Sequence, residues 1–272
     1  MNTPTTAITS QTRFDPGTVT LVGAGPGDPE LLTLKAARAI AAATVLLVDD
    51  LVGDGVLEHA SPGVRIVHVG KRGGCKSTPQ AFIQKLMVMA AREGEVVVRL
   101  KGGDPFIFGR GGEEVEHLRA AGIPVQVVNG VTAGLAGLTS LGAPLTHRDH
   151  AHGVVFITGH AKRGDTGTDW RQLAATARDA KLTLVIYMGV SHADEIERDL
   201  LTGLPADTPL AIIQHASLPQ QRHAVATLGT LTHTLAAQRL GSPAVIIVGD
   251  VVRGIAALQP ADTPALAHAH AA

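Results

Sequence analysis

The chain has 272 residues, 45% of them hydrophobic and 17% charged, with a formal net charge of −1. This length and apolar content exclude a peptide or a solely disordered chain, and they predict a globular protein with one large domain or two smaller ones. The near-neutral charge excludes a polybasic surface for nucleic acid, and an aromatic content of 3% is low for a protein that stacks on single-stranded bases. The single cysteine, Cys75, excludes an internal disulfide and fits a reducing compartment, so we expect a cytoplasmic protein.

The two ends of the chain are expected to be poorly structured. Residues 1–16 are polar and threonine-rich and lack the basic start and apolar block of a secretory signal, so we expect a loose extension. Residues 257–272, rich in Pro, Ala and His, predict a flexible tail. The weakly polar stretch 131–145 is broken by glycines and Pro144 and is shorter than the roughly 20 apolar residues of a membrane span. We therefore expect no membrane span.

The first half of the chain alternates short apolar runs with longer helical windows. Strands are predicted at 19–22, 44–48, 64–69, 96–100 and 125–128. Their continuous apolar character is typical of strands that are buried on both faces of a parallel sheet. Apolar residues spaced by three and four predict intervening helices at 29–42, 79–92, 112–121 and 131–140. The pattern is a repeated βαβ unit.

A second series of elements follows a polar stretch, PLTHRDHAHG, at residues 144–153. Strands are predicted at 154–158, 182–188, 210–214, 223–228 and 244–249, the fourth of them antiparallel, with helices at 169–179, 191–200 and 230–239. Because a polar segment with Pro and Gly separates a helix from a strand, we expect a domain boundary there. The prediction is an α/β protein with two α/β domains in tandem, 17–146 and 147–256, and a ligand cleft between them.

The first predicted strand ends in a glycine-rich turn, GAGPGDPE, at residues 23–30. A helix is expected to begin with Asp28 as N-cap and Pro29 in its first position. The turn departs from the G-x-G-x-x-G dinucleotide fingerprint, and the Asp28 carboxylate occupies the place of a pyrophosphate. A tight turn that only caps a helix is the simpler alternative.

The fourth strand leads into a longer glycine-rich segment, RLKGGDPFIFGRGGEE, at residues 99–114. Gly102 and Gly103 allow a ligand to approach the main chain, and Asp104 offers a carboxylate to hydroxyl groups. Residues 105–108, PFIF, form a rigid apolar wall that suits a flat, adenosine-like group. Simpler interpretations remain for the charges that follow: Glu113 and Glu114 as first-turn carboxylates favoured by the helix dipole, and Arg110 as a solvated loop charge.

An acid and a cation follow neighbouring strands. Asp49 and Asp50 come after strand 44–48, where a Rossmann-type enzyme keeps a ribose-binding carboxylate, and Lys71 follows the next strand. The pair could handle a proton, or could form a surface salt bridge. The histidines of HRDHAH, residues 147–152, lack a recognised metal-ligand spacing, so we predict no metal site.

Six segments occur in order: GAGPGDPELLTLKAARAI, VGKRGG, VRLKGGDPFIFGRGGEE, NGVTAG, PLTHRD and VVFITGH. Through them the chain resembles, from about Val19 to Val252, the uroporphyrinogen-III C-methyltransferases of the tetrapyrrole methylase family. The resemblance implies the tetrapyrrole methylase fold, usually as a homodimer, with S-adenosyl-L-methionine bound between two α/β domains. It also implies methylation of C2 and C7 of uroporphyrinogen III, which gives S-adenosyl-L-homocysteine and precorrin-2 for sirohaem and cobalamin biosynthesis.

The resemblance assigns roles to individual residues. The family's proton acceptor matches Asp49, which replaces the ribose-binding role considered above, and its proton donor matches Lys71. Val48 stands where a Tyr is common, and Cys75-Lys76 replaces a His-containing stretch. The donor-binding positions match Pro26, Gly102, Gly103, Asp104, Ile107, Thr132, Ala133, Met188, Ala216 and Ala244.

The substrate that the resemblance implies carries eight carboxylates and therefore needs cationic partners. The basic residues in the loops of interest are Lys71, Arg72, Lys76, Lys101, Arg110 and Arg148. Of these, we expect Arg110 or Arg148 to bind the acetate or propionate groups.

Three alternatives remain at this stage. Another precorrin or cobalt-precorrin methyltransferase would share the donor-site glycines, although VGKRGG and PLTHRD favour uroporphyrinogen. A non-catalytic nucleotide-binding regulatory module would not need Asp49 and Lys71. An NAD-dependent dehydrogenase is disfavoured by the imperfect first fingerprint. Since no additional N-terminal α/β domain is present, we expect the methyltransferase alone rather than a multifunctional sirohaem synthase.

Overall fold

The computed structural model describes residues 13–70, 78–160 and 167–258, and it forms two compact units that divide between Thr132 and Ala133. Each unit contains a five-stranded sheet, and a strand is present at each of the predicted positions. The predicted α/β fold class is therefore confirmed.

The sheet of the first unit is parallel throughout, as its continuous apolar strands predict. The strands are β1 (Thr18–Gly23), β2 (Val45–Val48), β3 (Arg65–His68), β4 (Val96–Lys101) and β5 (Val125–Val128). They lie in the order β3-β2-β4-β1-β5. Strands β2 and β4 are buried along their whole length, whereas the edge strand β3 is mostly exposed. All carboxyl ends meet at one edge, where ligands bind to sheets of this kind.

Three α-helices cover this sheet: α1 (Leu34–Ala42), α2 (Gln80–Arg92) and α3 (Gly111–Ala120). The helix predicted at 29–42 is interrupted. A 3-10 turn at Pro29–Leu31 is capped by Asp28, whose Oδ1 accepts a hydrogen bond from Glu30 N at 2.8 Å. Leu32 is extended, and α1 then begins after Thr33, whose hydroxyl accepts from Ala36 N. The predicted capping is therefore confirmed, although it caps a short turn.

The second unit has a mixed sheet of strands β6 (Gly153–Thr158), β7 (Leu182–Tyr187), β8 (Pro209–Gln214), β9 (Arg222–Thr227) and β10 (Ala244–Val248). They lie in the order β6-β7-β10-β8-β9. Strand β9 is antiparallel to β8, as predicted, and β10 is antiparallel to both of its neighbours, which the sequence did not indicate. Its helices are α4 (Ala133–Ser140), α5 (Trp170–Asp179), α6 (Ala193–Leu200), α7 (Leu231–Ala237) and α8 (Arg253–Leu258).

The division between the units differs from the predicted boundary at 146/147, because α4 packs with the second unit. Leu138 is fully buried in a cluster with Val185 and Ile213, and the Gly134 amide donates to the Tyr187 hydroxyl at 2.8 Å. An almost wholly apolar helix must be covered by an apolar surface, and in this protein the second sheet provides it.

The predicted N-terminal extension is ordered at its inner end. Phe14 packs against the buried cluster around Ile40, and the Arg13 carbonyl accepts a hydrogen bond from Gln126 Nε2 at 3.0 Å. Residues 1–12 lie outside the described residues, as do residues 259–272 of the predicted tail, whose first two residues still belong to α8. In the part of the chain that is described, no helix is long and apolar enough to cross a membrane.

Candidate functional site

The loops after β1 and β4 are joined by main-chain hydrogen bonds. Gly103 N donates to Gly25 O at 2.7 Å, and Gly25 N donates to Gly103 O at 3.2 Å. Gly103 has a φ of +67°, a conformation that favours glycine. This pairing continues the contact of the two central strands beyond the sheet, so Pro26 and Gly102 lie in the same small region.

The loop after β5 approaches these two loops so closely that side chains are excluded. A Cβ atom on Gly23 would lie 2.4 Å from Gly130 N, and one on Gly130 would lie 2.2 Å from Gly103 O. The three loops therefore meet main chain against main chain, and only glycine fits at these contacts. We call this packed backbone the glycine floor.

Asp104 connects two of the loops rather than standing free. It is 6% exposed, its Oδ1 accepts from Phe106 N at 2.8 Å, and its Oδ2 accepts from Asn129 Nδ2 and Gly130 N, each at 3.1 Å. Much of the hydrogen-bonding capacity of this carboxylate is thus used within the protein. Direct contact of Asp104 with a methyl donor stays a prediction.

The apolar wall predicted after Pro105 is present and faces solvent. Phe106, Ile107 and Phe108 are 52%, 36% and 38% exposed. Phe108 and Arg110 have positive φ values of 53° and 58°, which are rare for side-chain-bearing residues. Exposed apolar side chains on a strained loop at the end of a central strand are typical of a ligand-binding surface.

Asp49 lies directly after β2, and its side chain is 37% exposed. Its Oδ2 is 3.4 Å from Nη2 of Arg99, a residue of the neighbouring strand β4 that is only 2% exposed. Sequence reasoning missed this arginine. The available signal was Arg99 between apolar residues in the strand VVVRLK, because a buried charge requires a partner. Lys71, predicted as the proton donor, lies outside the described residues.

Lys101 was considered as a partner for substrate carboxylates, and the structure shows that it is not available to them. It is 3% exposed, and its Nζ lies 3.1 Å from Glu114 Oε2, in an ion pair that is not aligned as a hydrogen bond. Burial, and then the charge of Arg99, lower the pKa of Lys101. Glu114 itself is fully buried in the first turn of α3, so it is more than the dipole-compensating surface carboxylate that its position suggests.

The two predicted substrate-binding arginines are both accessible, each within its own unit. Arg110 Nε and Nη2 donate to the Glu113 carboxylate at 3.0 and 2.6 Å, and this hydrogen bonding is the main cause of a raised pKa at Arg110. Arg148 is exposed in a turn that is closed by the bridge between His147 and Ala151. In both places the guanidinium can reach a carboxylate from solvent.

In the second unit, three of the predicted donor-binding residues lie at one sheet edge. Met188 follows β7, Ala216 follows β8, and Ala244 begins β10, which runs antiparallel between those strands. Met188 is 47% exposed with a φ of 54°. Ala216 lies between His215 and Ser217, whose φ values are 52° and 66°. Of the other predicted positions, Thr132 is buried and Ala133 begins α4.

Two further classes of ligand, metal ions and dinucleotides, can be compared with the described residues. Among residues 13–70, 78–160 and 167–258, no group of three or more His, Cys, Asp or Glu could hold a metal ion. The Asp28 carboxylate caps the turn after β1, so it places negative charge where a dinucleotide would place its pyrophosphate.

Comparison with known proteins gives consistent matches along nearly the whole chain. Uroporphyrinogen-III C-methyltransferase of Pseudomonas aeruginosa is 53% identical over 240 residues, which cover 88% of this chain and 96% of that protein. Siroheme synthase 2 of Aeromonas hydrophila is 48% identical over 243 residues, and the match spans 89% of this chain but only 50% of that protein. The crystal structure of uroporphyrin-III C-methyltransferase from Thermus thermophilus complexed with S-adenosylhomocysteine superposes with a TM-score of 0.72 at 44% identity, covering 87% of this chain and 99% of that one.

The sequence model of one family, the tetrapyrrole (corrin/porphyrin) methylases, matches residues 18–232. This match includes both sheets except β10, together with the glycine loops and Asp49. The chain therefore belongs to the tetrapyrrole (corrin/porphyrin) methylases.

Proposed function

We propose that the chain is an S-adenosyl-L-methionine-dependent C-methyltransferase that methylates C2 and C7 of uroporphyrinogen III and yields precorrin-2. The observation that carries the proposal is the partly exposed carboxylate of Asp49, which pairs with the buried Arg99. It lies at the same edge of the sheet as the three loops that form the glycine floor. A partly exposed carboxylate that can act as a base, at the sheet edge where ligands bind, is what a proton-removing step next to a bound donor needs.

The residues present fit a methyl donor of this kind. When bound, the donor supplies a methyl group made electrophilic by its positive sulfur. The main chain around Gly102 and Gly103 can bind its polar atoms, and the exposed Ile107 and Met188 offer apolar surface, each in its own unit. In support, the Thermus thermophilus relative was crystallised with S-adenosylhomocysteine.

Alignment is the main contribution of the protein, because an activated donor needs no covalent enzyme intermediate. Well-oriented reactants can lower a barrier by roughly 7–11 kcal/mol. In this proposal Asp49 accepts a ring proton as the macrocycle rearranges, which contributes a factor of about 10²–10⁴, and Lys71 returns a proton.

The carboxylates of the substrate are bound by Arg110 and Arg148. The bidentate pair that Arg110 makes with Glu113 already has the geometry of a guanidinium–carboxylate contact. A substrate carboxylate can take the place of Glu113 in that pair at little cost, because the side chains of Arg110 and Glu113 are 55% and 53% exposed.

The proposal also covers the cellular location of the enzyme, its oligomeric state and the use of its product. We place it in the cytoplasm, because a lone cysteine fits a reducing compartment, and we propose a homodimer. The product would enter sirohaem or cobalamin biosynthesis, which accords with the 48% identity to a siroheme synthase.

Calorimetric titration of the purified chain tests the donor class directly. We expect S-adenosylhomocysteine to bind and NAD to give no heat above dilution. Binding of NAD without binding of S-adenosylhomocysteine would contradict the proposal and favour a dehydrogenase.

A further inference from the structure

Behind Asp49 lies a chain of charged side chains that the proposed reaction does not use directly. Arg99, Glu114 and Lys101 are 2%, 0% and 3% exposed, whereas Asp49 is 37% exposed. With Asp49, they form a row of two cations and two carboxylates in which only Asp49 is substantially open to solvent.

Arg99 is held on several sides. Its Nη1 donates to the carbonyls of Leu47 at 3.3 Å and Leu100 at 3.0 Å, on strands β2 and β4. Its Nε donates to Glu114 Oε1 at 3.3 Å. These contacts fix the guanidinium plane and leave Nη2 directed at Asp49, 3.4 Å away.

Glu114 provides the negative charge that both buried cations of this row, Arg99 and Lys101, face. Its Oε1 also accepts from Gln80 Nε2 at 2.9 Å, and its Oε2 faces Lys101 Nζ at 3.1 Å. Without its negative charge, Arg99 and Lys101 would be two buried cations that repel each other, and a buried pair that loses one partner leaves an uncompensated charge. The repulsion by Arg99 already appears at Lys101, whose pKa is lowered by burial and by Arg99 and raised by Glu114.

We infer that Glu114 is a positioning residue for the methyl-transfer reaction, acting through Arg99 to fix the position of the Asp49 carboxylate. Because Glu114 is fully buried, it cannot touch the substrate. The inference rests on the proposed function, in which Asp49 accepts a proton.

The test compares Glu114→Gln with Glu116→Gln, in full-length protein. Both variants make the same neutralising change on α3, but Glu116 is exposed. We expect Glu114→Gln to slow single-turnover methyl transfer to uroporphyrinogen III by about 10- to 100-fold, because small misplacements of reacting groups have effects of that size. Its affinity for S-adenosylhomocysteine should stay within about twofold of wild type, and Glu116→Gln should match wild type in both measurements.

A double variant separates positioning from a general structural effect. If Glu114 acts through Asp49, Glu114→Gln combined with Asp49→Asn should be no more than about twofold slower than Asp49→Asn alone. If the rate losses of the two single variants multiply in the double variant, the inference is overturned. An unchanged rate in Glu114→Gln overturns it as well.

If Asp49→Asn itself transfers methyl groups at the wild-type rate, the proposed role of Asp49 fails and the inference fails with it. A slow Asp49→Asn beside a normal Glu114→Gln overturns the inference alone.

Gln80→Ala keeps the test decisive if Glu114→Gln does not fold. It removes only the hydrogen bond that the neutral amide of Gln80, the first residue of α2, donates to Glu114, at a position where alanine suits the helix. Slowing by about threefold to fivefold, with unchanged affinity for S-adenosylhomocysteine, supports the inference. A wild-type rate in that variant overturns it.

Discussion

At the scale of single residues, the structure changes the interpretation of three charges on or next to β4. From the sequence, Arg99 is a strand residue, Lys101 is a candidate for binding the substrate, and Glu114 is a surface carboxylate. In the fold they pair with one another beneath Asp49. Side-chain pairing across a sheet depends on strand order and register, here Leu47 opposite Arg99, which a single sequence does not reveal.

Replacing Asp49 tests its proposed role as proton acceptor. Asp49→Asn keeps the size of the side chain and removes its basicity, so turnover should fall by about 10²–10⁴-fold while S-adenosylhomocysteine still binds. Single-turnover kinetics and calorimetry measure the two effects. Asp54→Asn, an exposed change in the following 3-10 helix, should have wild-type kinetics. An unchanged single-turnover rate in Asp49→Asn would remove the base assignment.

The buried ammonium group of Lys101 gives stability a particular dependence on pH. Its pKa is lowered from the ordinary value of 10.5, so at alkaline pH the unfolded chain binds this proton more readily than the folded chain. The free energy of unfolding should therefore gain a contribution that rises with pH up to about 10.5, as the penalty for burying the charge is relieved.

Lys101→Met should lack this rise. Urea unfolding of both proteins between neutral pH and pH 10 measures it, and the stability of wild type relative to the variant should increase with pH. A relative stability that falls over the same interval would contradict the account.

At the scale of elements, the ends of the strands decide where the site lies. The apolar runs and the glycine turns predicted each strand of the first sheet and its carboxyl-edge loops. Two features could not be predicted: the antiparallel direction of β10 and the attachment of α4 to the second unit. Strand direction and helix docking are set by distant partners such as Val185 and Ile213, whereas apolar periodicity reports only local burial.

Asp104 is expected to stabilise the loops that it joins. Asp104→Ala would leave Phe106 N, Asn129 Nδ2 and Gly130 N without their acceptor, so the free energy of unfolding should fall by about 1–3 kcal/mol. Affinity for S-adenosylhomocysteine should fall as well, since the loops that form the glycine floor lose a connection. Urea unfolding and calorimetry measure both, with the exposed Asp207→Asn as a control that changes neither. Wild-type stability in Asp104→Ala would show that the loops hold together without this carboxylate.

At the scale of the whole molecule, local charge matters more than net charge. A chain with a formal charge of −1 is proposed to bind a polycarboxylate through exposed guanidinium groups, such as Arg110 in the first unit and Arg148 in the second. Raising the salt concentration should therefore weaken binding of uroporphyrinogen III more than binding of S-adenosylhomocysteine. Titrations at low and high salt measure the difference, and equal salt sensitivity for the two ligands would contradict this role of the arginines.

The most direct measurement of the central claim is the mass of the tetrapyrrole after reaction. The purified chain is incubated with uroporphyrinogen III and S-adenosyl-L-methionine carrying a labelled methyl group, and the methyl groups added to the product are counted by mass spectrometry. The proposed function predicts two labelled methyl groups on each product molecule. Transfer of none, with methylation appearing only when a precorrin is supplied as acceptor, would contradict it and identify a different member of the family.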